Sequence, residues 1–360
     1  MIQMNRICDL QRRTESSCDA VLIQSFVNRR YLTGFCSSAG MLLITHHQTF
    51  FLVDSRYIEA AQKHFAGSPV QVLLTETPEQ VILQLIKQYK LTRLGTETRQ
   101  MSFSAVQLLK QQIRPCELLT DDTVSIALEE LRMIKDAGEL ASLREAQQIT
   151  DYAFHKCLEI IRPGVSELDI MIKMGVEMAR QGCEKRSFNM ILTSGTQTAL
   201  PHGDPTIRQV EDGDFVMMDV GAMVNGYAAD MTRTVAVGTV TQLQKEVYDT
   251  VLQAQKLALE ALGPGKRCCD IDKIARSYID QSEWAGKFGH GLGHSLGLEI
   301  HEQPRLRPGC ETVLRPGMMT TVEPGIYLPG QFGVRIEDMV VITEDGCENM
   351  TGSPKQLLVL

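Results

Sequence analysis

The sequence contains no long run of apolar residues, no long run of Lys or Arg, and no pair of cysteines spaced as CxxC. A membrane-spanning helix needs about 18 apolar residues in succession, so we expect no membrane span. The formal net charge is −8, and without a basic run this charge disfavours nucleic acid and anionic membranes as partners.

The ten cysteines are scattered, and the only adjacent pair is Cys268 and Cys269. The N-terminal segment MIQMNRICDLQRRTESSCDA lacks the apolar stretch of a secretory signal peptide. Disulfides persist in oxidising compartments, so the sequence predicts reduced, mostly buried thiols and a cytoplasmic location.

The length of 360 residues is typical of two domains. In residues 1–120, apolar runs alternate with amphipathic ones, which predicts an α/β layered domain. Predicted strands are AVLIQS, MLLIT and FFLVD, and predicted helices are YIEAAQKHF and EQVILQLIKQY. The polar segment 115–125 predicts a boundary, which gives domains at 1–122 and 123–360.

Two similar pairs of helices are predicted in the second domain, each followed by strands. The first pair is a long helix at 127–161 and a helix that begins at Ser166 and ends at Gly182. The second pair is KEVYDTVLQAQKLALEAL and CDIDKIARSYIDQ. The repeated order suggests two related halves.

The segment 214–238 has two strand-like runs on either side of Asn225-Gly226, a dipeptide typical of a two-residue hairpin turn. Such a turn places Asp219 opposite Thr232 and makes Asp219 and Asp230 diagonal neighbours on one face. Two exposed acids on the solvated face of a hairpin would fit this pattern equally well. The neighbouring residues are largely apolar, however, and buried acids without a cation are unfavourable.

Segment 318–343 repeats this pattern of acids in apolar strands. Glu323 ends one apolar run, and Glu337 interrupts the next. Alternation along the strand places Arg335 on the same face as Glu337.

Three of the eight histidines lie in GHGLGHSLGLEIHE, residues 289–302. Its four glycines would each cost a helix about 1 kcal/mol, so an extended or looped backbone is predicted. In one regular strand His294 and His301 would face opposite sides. Either the strand ends between them or they serve different purposes.

Four carboxylates and one imidazole form a ligand set that favours manganese, cobalt or zinc over a metal that prefers thiolates. Four negative charges exceed what one divalent ion balances, so two ions about 3.5–4 Å apart fit better.

Four segments resemble motifs of the pita-bread metallopeptidases, in the branch of the Xaa-Pro aminopeptidases and prolidases: DVGAMVNGYAADMTRT, GHGLGHSLGLEIHEQP, TVEPGIYLPG and GVRIED. Creatinase and Met aminopeptidases share this fold. YLTGF and LVDSRY resemble the N-terminal domain of the same family, and LRMIKDAGELASLREA its first catalytic helix. The implied fold is α+β, with an N-terminal creatinase-like α/β domain followed by a pita-bread catalytic domain.

The resemblance implies roles for nine residues. Its five metal ligands are the residues that charge and spacing had indicated: Asp219, Asp230, His294, Glu323 and Glu337. It assigns substrate binding to His202, His290, His301 and Arg335, and catalysis to His202, His301 and Glu323. Ser295 stands where many relatives carry glycine.

The implied activity is that of an Xaa-Pro aminopeptidase, which hydrolyses the N-terminal Xaa-Pro bond of a peptide with a hydroxide held by two divalent ions. Manganese is the expected metal, with cobalt or zinc as alternatives, and the implied assembly is a homodimer. Three other functions remain open: a prolidase restricted to Xaa-Pro dipeptides, an aminopeptidase that also acts on Met, and a peptide-binding homologue without catalysis.

Overall fold

A computed structural model describes residues 4–360. The chain divides into two compact units, of which the first ends at Arg132 and the second runs from Met133 to Leu360. Among the described residues, no helix combines the length and apolar character that crossing a membrane requires.

The first unit contains one mixed sheet of six strands in the order β4-β3-β2-β1-β5-β6. Its strands are β1 Ala20–Ile23, β2 Met41–Thr45, β3 Thr49–Val53, β4 Val70–Leu74, β5 Arg93–Thr96 and β6 Glu117–Leu118. Its helices are α1 Met4–Thr14, α2 Phe26–Thr33, α3 Ile58–His64, α4 Pro78–Gln88, α5 Phe103–Gln112 and α6 Thr123–Met133. All three predicted strands and both predicted helices of this region are confirmed. The helices α1, α2 and α5 and the strands β4, β5 and β6 were not predicted.

The first unit includes nearly all of α6, so the compact division lies ten residues beyond the position inferred from the polar segment 115–125. Helix α6 is held by the first unit through side-chain hydrogen bonds. Tyr31 Oη donates to the Leu131 carbonyl at 2.9 Å, and Arg132 Nη1 donates to Asn28 Oδ1 at 3.1 Å. These long-range contacts carry no local sequence signal.

The second unit combines four α-helices and a short 3-10 helix, Gly195–Ala199, with thirteen strands in small sheets. Its helices are α7 Ala137–Leu158, α8 Glu167–Arg180, α9 Gln242–Ala261 and α10 Cys268–Asp280. Strands of its first part are β7 Lys185–Arg186, β8 Ile191–Ser194, β9 Phe215–Val220, β10 Ala222–Val224, β11 Tyr227–Ala228 and β12 Met231–Ala236. Strands of its second part are β13 Gly293–Ser295, β14 Glu302–Leu306, β15 Met319–Val322, β16 Gly325–Leu328, β17 Phe332–Arg335, β18 Asp338–Ile342 and β19 Cys347–Asn349.

Each pair of helices packs on its own set of strands. Apolar side chains of α7 and α8 form one core with β8, β9 and β12. Side chains of α9 and α10 form another core with β14 to β18. The sheets of the two halves therefore present their remaining faces to the polar site described below.

The single helix predicted at 127–161 is wrong, because the structure ends α6 at Met133 and begins α7 at Ala137. Asp136 is the N-cap of α7: its side chain accepts hydrogen bonds from the N–H groups of Gly138 and Glu139. The Glu139 carboxylate accepts the Asp136 N–H in return, which completes a capping box. The helix α8 begins after Ser166 as predicted.

The register predicted from Asn225-Gly226 is confirmed, since Asp219 pairs with Thr232 across β9 and β12. Asn225 and Gly226 have φ values of 51° and 83°, as a type I′ turn requires.

All ten cysteines are free thiols. Four are buried, four are half-buried, and Cys8 and Cys36 are exposed, so the expectation of mostly buried thiols holds for only part of the set.

Candidate functional site

One cavity of about 610 Å³ in the second unit is lined by all nine residues that the sequence singled out. They come from segments far apart in the chain: His202, Asp219, Asp230, His290, His294, His301, Glu323, Arg335 and Glu337.

Three of the four acidic side chains, those of Asp230, Glu323 and Glu337, lie close to His294 in this cavity. His294 Nε2 lies 3.5 Å from Asp230 Oδ2 and 3.4 Å from Glu323 Oε1. Asp230, His294 and Glu337 each offer one ligand atom, and these atoms all lie within 4.8 Å of one another. The arrangement is that of side chains directed at a common point.

The hairpin of residues 214–238 is interrupted twice, between β9 and β10 and between β11 and β12, and Asp230 lies at the second interruption. A Cβ at Gly221 would lie 1.9 Å from the Ala229 carbonyl oxygen, so only glycine allows these two backbone segments to approach each other here. The pairing of β9 with β12 ends at Val220 and Met231, and Asp230 directly precedes Met231 in the chain.

His294 has a proton arrangement suited to binding a cation. Its Nδ1 lies 3.1 Å from the Ser295 carbonyl oxygen, which only accepts hydrogen bonds, so we assign the ring proton to Nδ1. Burial lowers the pKa of His294 to about 3, so the ring is neutral near pH 7. Its Nε2 therefore directs a lone pair at two carboxylate oxygens, an arrangement that is repulsive without a positive charge between them.

The two histidines that alternation would separate are brought together because β13 ends at Ser295. The chain then turns, His301 immediately precedes β14, and β14 pairs antiparallel to β13 with an irregularity at Ser295. The His294 and His301 ring centroids are 4.4 Å apart with nearly perpendicular planes. His301 and His202 are both exposed at the opening of the cavity.

Threonines orient the two glutamates. Thr321 Oγ1 donates to Glu323 Oε1 at 3.1 Å and accepts the His294 N–H at 3.1 Å. Thr232 Oγ1 donates to Glu337 Oε2 at 2.7 Å. Glu323 is therefore held by a residue of its own strand segment, and Glu337 by a residue of β12.

Arg335 is the buried cation of the site. Its Nη2 donates to Asp219 Oδ2 at 2.5 Å, its Nη1 donates to Tyr327 Oη at 2.8 Å, and its Nε donates to Thr232 Oγ1 at 3.0 Å. The other oxygen of Asp219, Oδ1, is buried without a hydrogen-bond partner in the described part of the chain.

Burial and mutual repulsion raise the pKa values of the clustered carboxyl groups. Burial raises the pKa of Asp230 well above its ordinary value, and the charges of Glu337, Asp219 and Glu323 add to this. Burial likewise raises the pKa of Glu337 and brings that of Glu323 to about 8, although Arg335 opposes the shift of Glu323. Ionised carboxylates at these positions require a cation beyond Arg335.

The donor set fits divalent metal ions. Asp219 Oδ1 is a buried acceptor in need of a partner, His294 Nε2 offers a lone pair, and the remaining donors are carboxylate oxygens. Such oxygen-rich sites with one imidazole suit hard or borderline ions.

His290 lines the same cavity as the predicted metal ligands and forms hydrogen bonds at both ring nitrogens. Nδ1 lies 2.9 Å from the Gly291 carbonyl oxygen, so it carries the ring proton, and Nε2 accepts from Tyr327 Oη at 3.0 Å. Burial, with the charge of Arg335, lowers the pKa of His290 to about 4. A chain of hydrogen bonds thus runs from Arg335 through Tyr327 to His290.

Sequence reasoning missed several residues of the cavity, among them Phe188, Asn189, Arg305 and Arg307. Arg305 lies on β14 directly opposite His294 on β13. A signal was available, since PRLRPG places two arginines just after a histidine-rich segment. Tyr327 was also missed, because a tyrosine in an apolar strand is typical of core packing.

The carboxylates and imidazole within a mixed α+β unit define the class of proteins that have a carboxylate-rich site for divalent metal ions. The profile of metallopeptidase family M24 matches residues 141–344, and that of the Creatinase/Prolidase N-terminal domain matches residues 6–134. The chain therefore belongs to metallopeptidase family M24, and the family and fold predicted from the sequence motifs are confirmed.

Known proteins match over nearly the whole chain. An Xaa-Pro dipeptidase of Pyrococcus furiosus is 37% identical over 346 residues, which cover 96% of each chain. The structure of an Xaa-Pro dipeptidase from Bacillus anthracis has a TM-score of 0.94 and 38% identity, and covers 99% of this chain and 100% of its own. An X-Pro aminopeptidase from Thermotoga maritima has a TM-score of 0.91 and 32% identity, with 100% of both chains covered.

Proposed function

We propose that this metallopeptidase is an Xaa-Pro dipeptidase, a prolidase, rather than the Xaa-Pro aminopeptidase that the sequence first suggested. Arg305 is the observation that carries this choice. Its half-buried side chain lines the cavity, and no hydrogen bond or ion pair of that side chain is found within residues 4–360.

An unpaired guanidinium in a cavity is suited to a substrate carboxylate. Arg305 pairs across the strands with His294, so an anion that it binds lies close to the predicted metal ligands. Only in a dipeptide does the residue directly after the cleaved bond carry a free carboxylate. In a longer peptide the same position is an uncharged amide.

Two divalent ions, for which the donor set favours manganese, cobalt or zinc, would be held by Asp219, Asp230, His294, Glu323 and Glu337. The four carboxylates and Arg335 leave three net negative charges, which exceeds the charge of one divalent ion. Such ions polarise a carbonyl group and activate water for attack at neutral pH.

The remaining steps belong to protein side chains. Glu323 accepts a proton from the attacking water and delivers it to the proline nitrogen, which needs a proton to leave. Thr321 fixes the Glu323 carboxyl group during this transfer. His202 and His301, at the opening of the cavity, donate hydrogen bonds to the oxygen that becomes negative. Phe188 and Ile191 supply apolar surface for the proline ring.

The test is a panel of Ala-Pro, Ala-Pro-amide and Ala-Pro-Ala, with the release of alanine measured in the presence of manganese. We expect the largest kcat/KM for Ala-Pro. Arg305→Gln should raise KM for Ala-Pro about tenfold or more, as expected for a lost charged hydrogen bond, and should leave hydrolysis of the amide unchanged.

Two results contradict the proposal in different ways. An equal or greater kcat/KM for Ala-Pro-Ala would identify an aminopeptidase instead. No hydrolysis by a protein that binds two manganese ions in a titration would indicate a peptide-binding protein.

A further inference from the structure

The loop at 287–292, which carries His290 into the cavity, has no regular secondary structure. Its backbone is instead bound by two side chains of α10. Arg276 Nη1 donates to the Phe288 carbonyl at 2.8 Å, and Arg276 Nη2 donates to the His290 carbonyl at 2.7 Å. Asp272 Oδ1 accepts the Leu292 N–H at 3.0 Å.

Asp272 and Arg276 also bind each other, through two parallel hydrogen bonds of 2.8 Å. The Asp272 side chain is 2% exposed, and the Arg276 side chain is 23% exposed. The planar guanidinium thus meets a carboxylate and two carbonyl groups at once, which a lysine ammonium cannot do with the same geometry.

The Asp272–Arg276 pair is connected to the candidate active site in two ways. The Arg276 guanidinium stacks on the Phe288 ring at 4.3 Å, and the Phe288 ring contacts the His290 ring with centroids 4.9 Å apart. Leu292, whose N–H binds Asp272, accepts the Glu323 N–H at its carbonyl at 2.8 Å. The ion pair therefore restrains both His290 and the backbone of Glu323.

A loop with this composition needs such restraint. Gly289, Gly291 and Gly293 flank His290 and Leu292, and ordering a residue costs about 1–2 kcal/mol of backbone entropy, more for glycine than for other residues. A Cβ at Gly293 would lie 2.0 Å from the Thr321 carbonyl oxygen, so glycine is required at that position for close packing. The restraint must then come from side chains elsewhere.

We propose that Asp272 and Arg276 are positioning residues of the active site, which hold the 287–292 loop so that His290 and Glu323 face the substrate. The kinetic part of this proposal rests on the proposed peptidase function. The structural part concerns the loop alone.

The test compares Arg276→Lys with Arg267→Lys. Arg267 lies next to the same helix and forms a similar double hydrogen bond with Asp270, but both of those side chains are 48% exposed. Within residues 4–360, neither side chain forms a hydrogen bond or ion pair with the loop. Hydrogen exchange of the peptide that contains residues 287–293 should be faster in Arg276→Lys and unchanged in Arg267→Lys. This measurement does not depend on activity, so it remains informative if Ala-Pro is not the substrate.

On Ala-Pro, we expect Arg276→Lys to lower kcat/KM roughly 10- to 100-fold, because small displacements of positioned groups reduce rates on this scale. Asp272→Asn keeps the acceptor for the Leu292 N–H and loses the charge, so it should show a smaller loss. Arg267→Lys should retain full kcat/KM.

A double-mutant cycle with His290→Gln separates positioning from general destabilisation. If Arg276 acts partly through His290, Arg276→Lys should cost less in the His290→Gln background than in the native protein. Full additivity, or unchanged hydrogen exchange of the loop in Arg276→Lys, would overturn the proposal.

Discussion

Arg335 and Asp219 form a buried ion pair in which Nη2 of the arginine lies 2.5 Å from Oδ2 of the aspartate. Their side chains are only 3% and 12% exposed. The pair neutralises one of four carboxylates that converge on the cavity, and it leaves Asp219 Oδ1 available. Arg335 therefore stabilises the clustered acids and holds Asp219 by one oxygen, while the other oxygen keeps its acceptor capacity.

Removal of this cation should destabilise the metal-free protein. Arg335→Met leaves Asp219 buried without its partner, and breaking a buried pair typically costs about 3–5 kcal/mol. Urea unfolding in the presence of a chelator measures the loss. Arg144→Met is the matched control, since Arg144 pairs with Glu348 at the surface and should cost less than about 1 kcal/mol. Equal losses in the two variants would show that the buried pair has no special role.

Asp230→Asn should stabilise the metal-free protein and weaken its binding of manganese. Asp230 is buried beside three other carboxylates, so its neutralisation relieves repulsion and should raise the melting temperature in chelator. The same change removes a predicted ligand, so the rise in melting temperature that manganese produces should largely disappear. For comparison, an ion at 100 times its Kd stabilises by about 2.7 kcal/mol.

Activity on Ala-Pro should fall at least 100-fold in Asp230→Asn. Asp249→Asn changes an exposed aspartate of α9 and serves as the control. A full manganese response in Asp230→Asn would exclude Asp230 as a ligand.

The aspartate pair was predictable because its geometry is set locally. Asn225-Gly226 fixes the turn, the turn fixes the register, and the register fixes the relation of Asp219 to Asp230. Glu323 and Glu337 were found for a related reason, since a carboxylate within an apolar strand is unfavourable unless something compensates for it.

Asp272 and Arg276 carried no such signal. Four residues apart on a helix, they match the spacing of an ordinary surface ion pair, and only the folded chain places the 287–292 loop against them. Arg305 did carry a sequence signal in PRLRPG, but its position opposite His294 depends on the turn between β13 and β14, which the sequence did not predict. The break between α6 and α7 was local, by contrast, and Asp136 with Glu139 formed a capping signal that the apolar periodicity concealed.

His290 should make the protein less stable as the pH falls. Burial lowers its pKa in the folded state from 6.5 to about 4. The unfolded chain therefore binds a proton below pH 6.5 that the folded protein resists, so this contribution to stability is present above pH 6.5 and is lost as the pH falls towards 4.

The check is the difference in unfolding free energy between the native protein and His290→Gln. Glutamine cannot titrate but can still accept the Tyr327 hydroxyl. Stability of the native protein relative to the variant should fall by about 1–2 kcal/mol between pH 6.5 and 4.5, after allowance for partial exposure of the ring. A difference that stays constant over this range would contradict the lowered pKa.

Lys135 and Glu302 form a second buried pair, behind the turn that joins His294 to His301. Lys135 Nζ lies 3.2 Å from Glu302 Oε2 and 3.1 Å from Ser295 Oγ, and the two charged side chains are 1% and 5% exposed. Glu302 Oε1 accepts the Glu299 N–H at 3.1 Å, so the carboxylate also holds the turn itself. The pair is suited to keeping the two histidine rings in contact.

Lys135→Met should therefore destabilise the protein by about 3–5 kcal/mol, because it removes the ammonium group that pairs with the buried Glu302 carboxylate. Adding Glu302→Gln to this variant should restore most of the loss, since the amide oxygen still accepts the Glu299 N–H and both charges of the broken pair are then removed. Lys245→Met, which breaks an exposed pair with Asp249, should cost less than about 1 kcal/mol. Urea unfolding of the three variants distinguishes the causes. If the double variant is as unstable as Lys135→Met, the loss comes from packing of the lysine side chain and not from the broken ion pair.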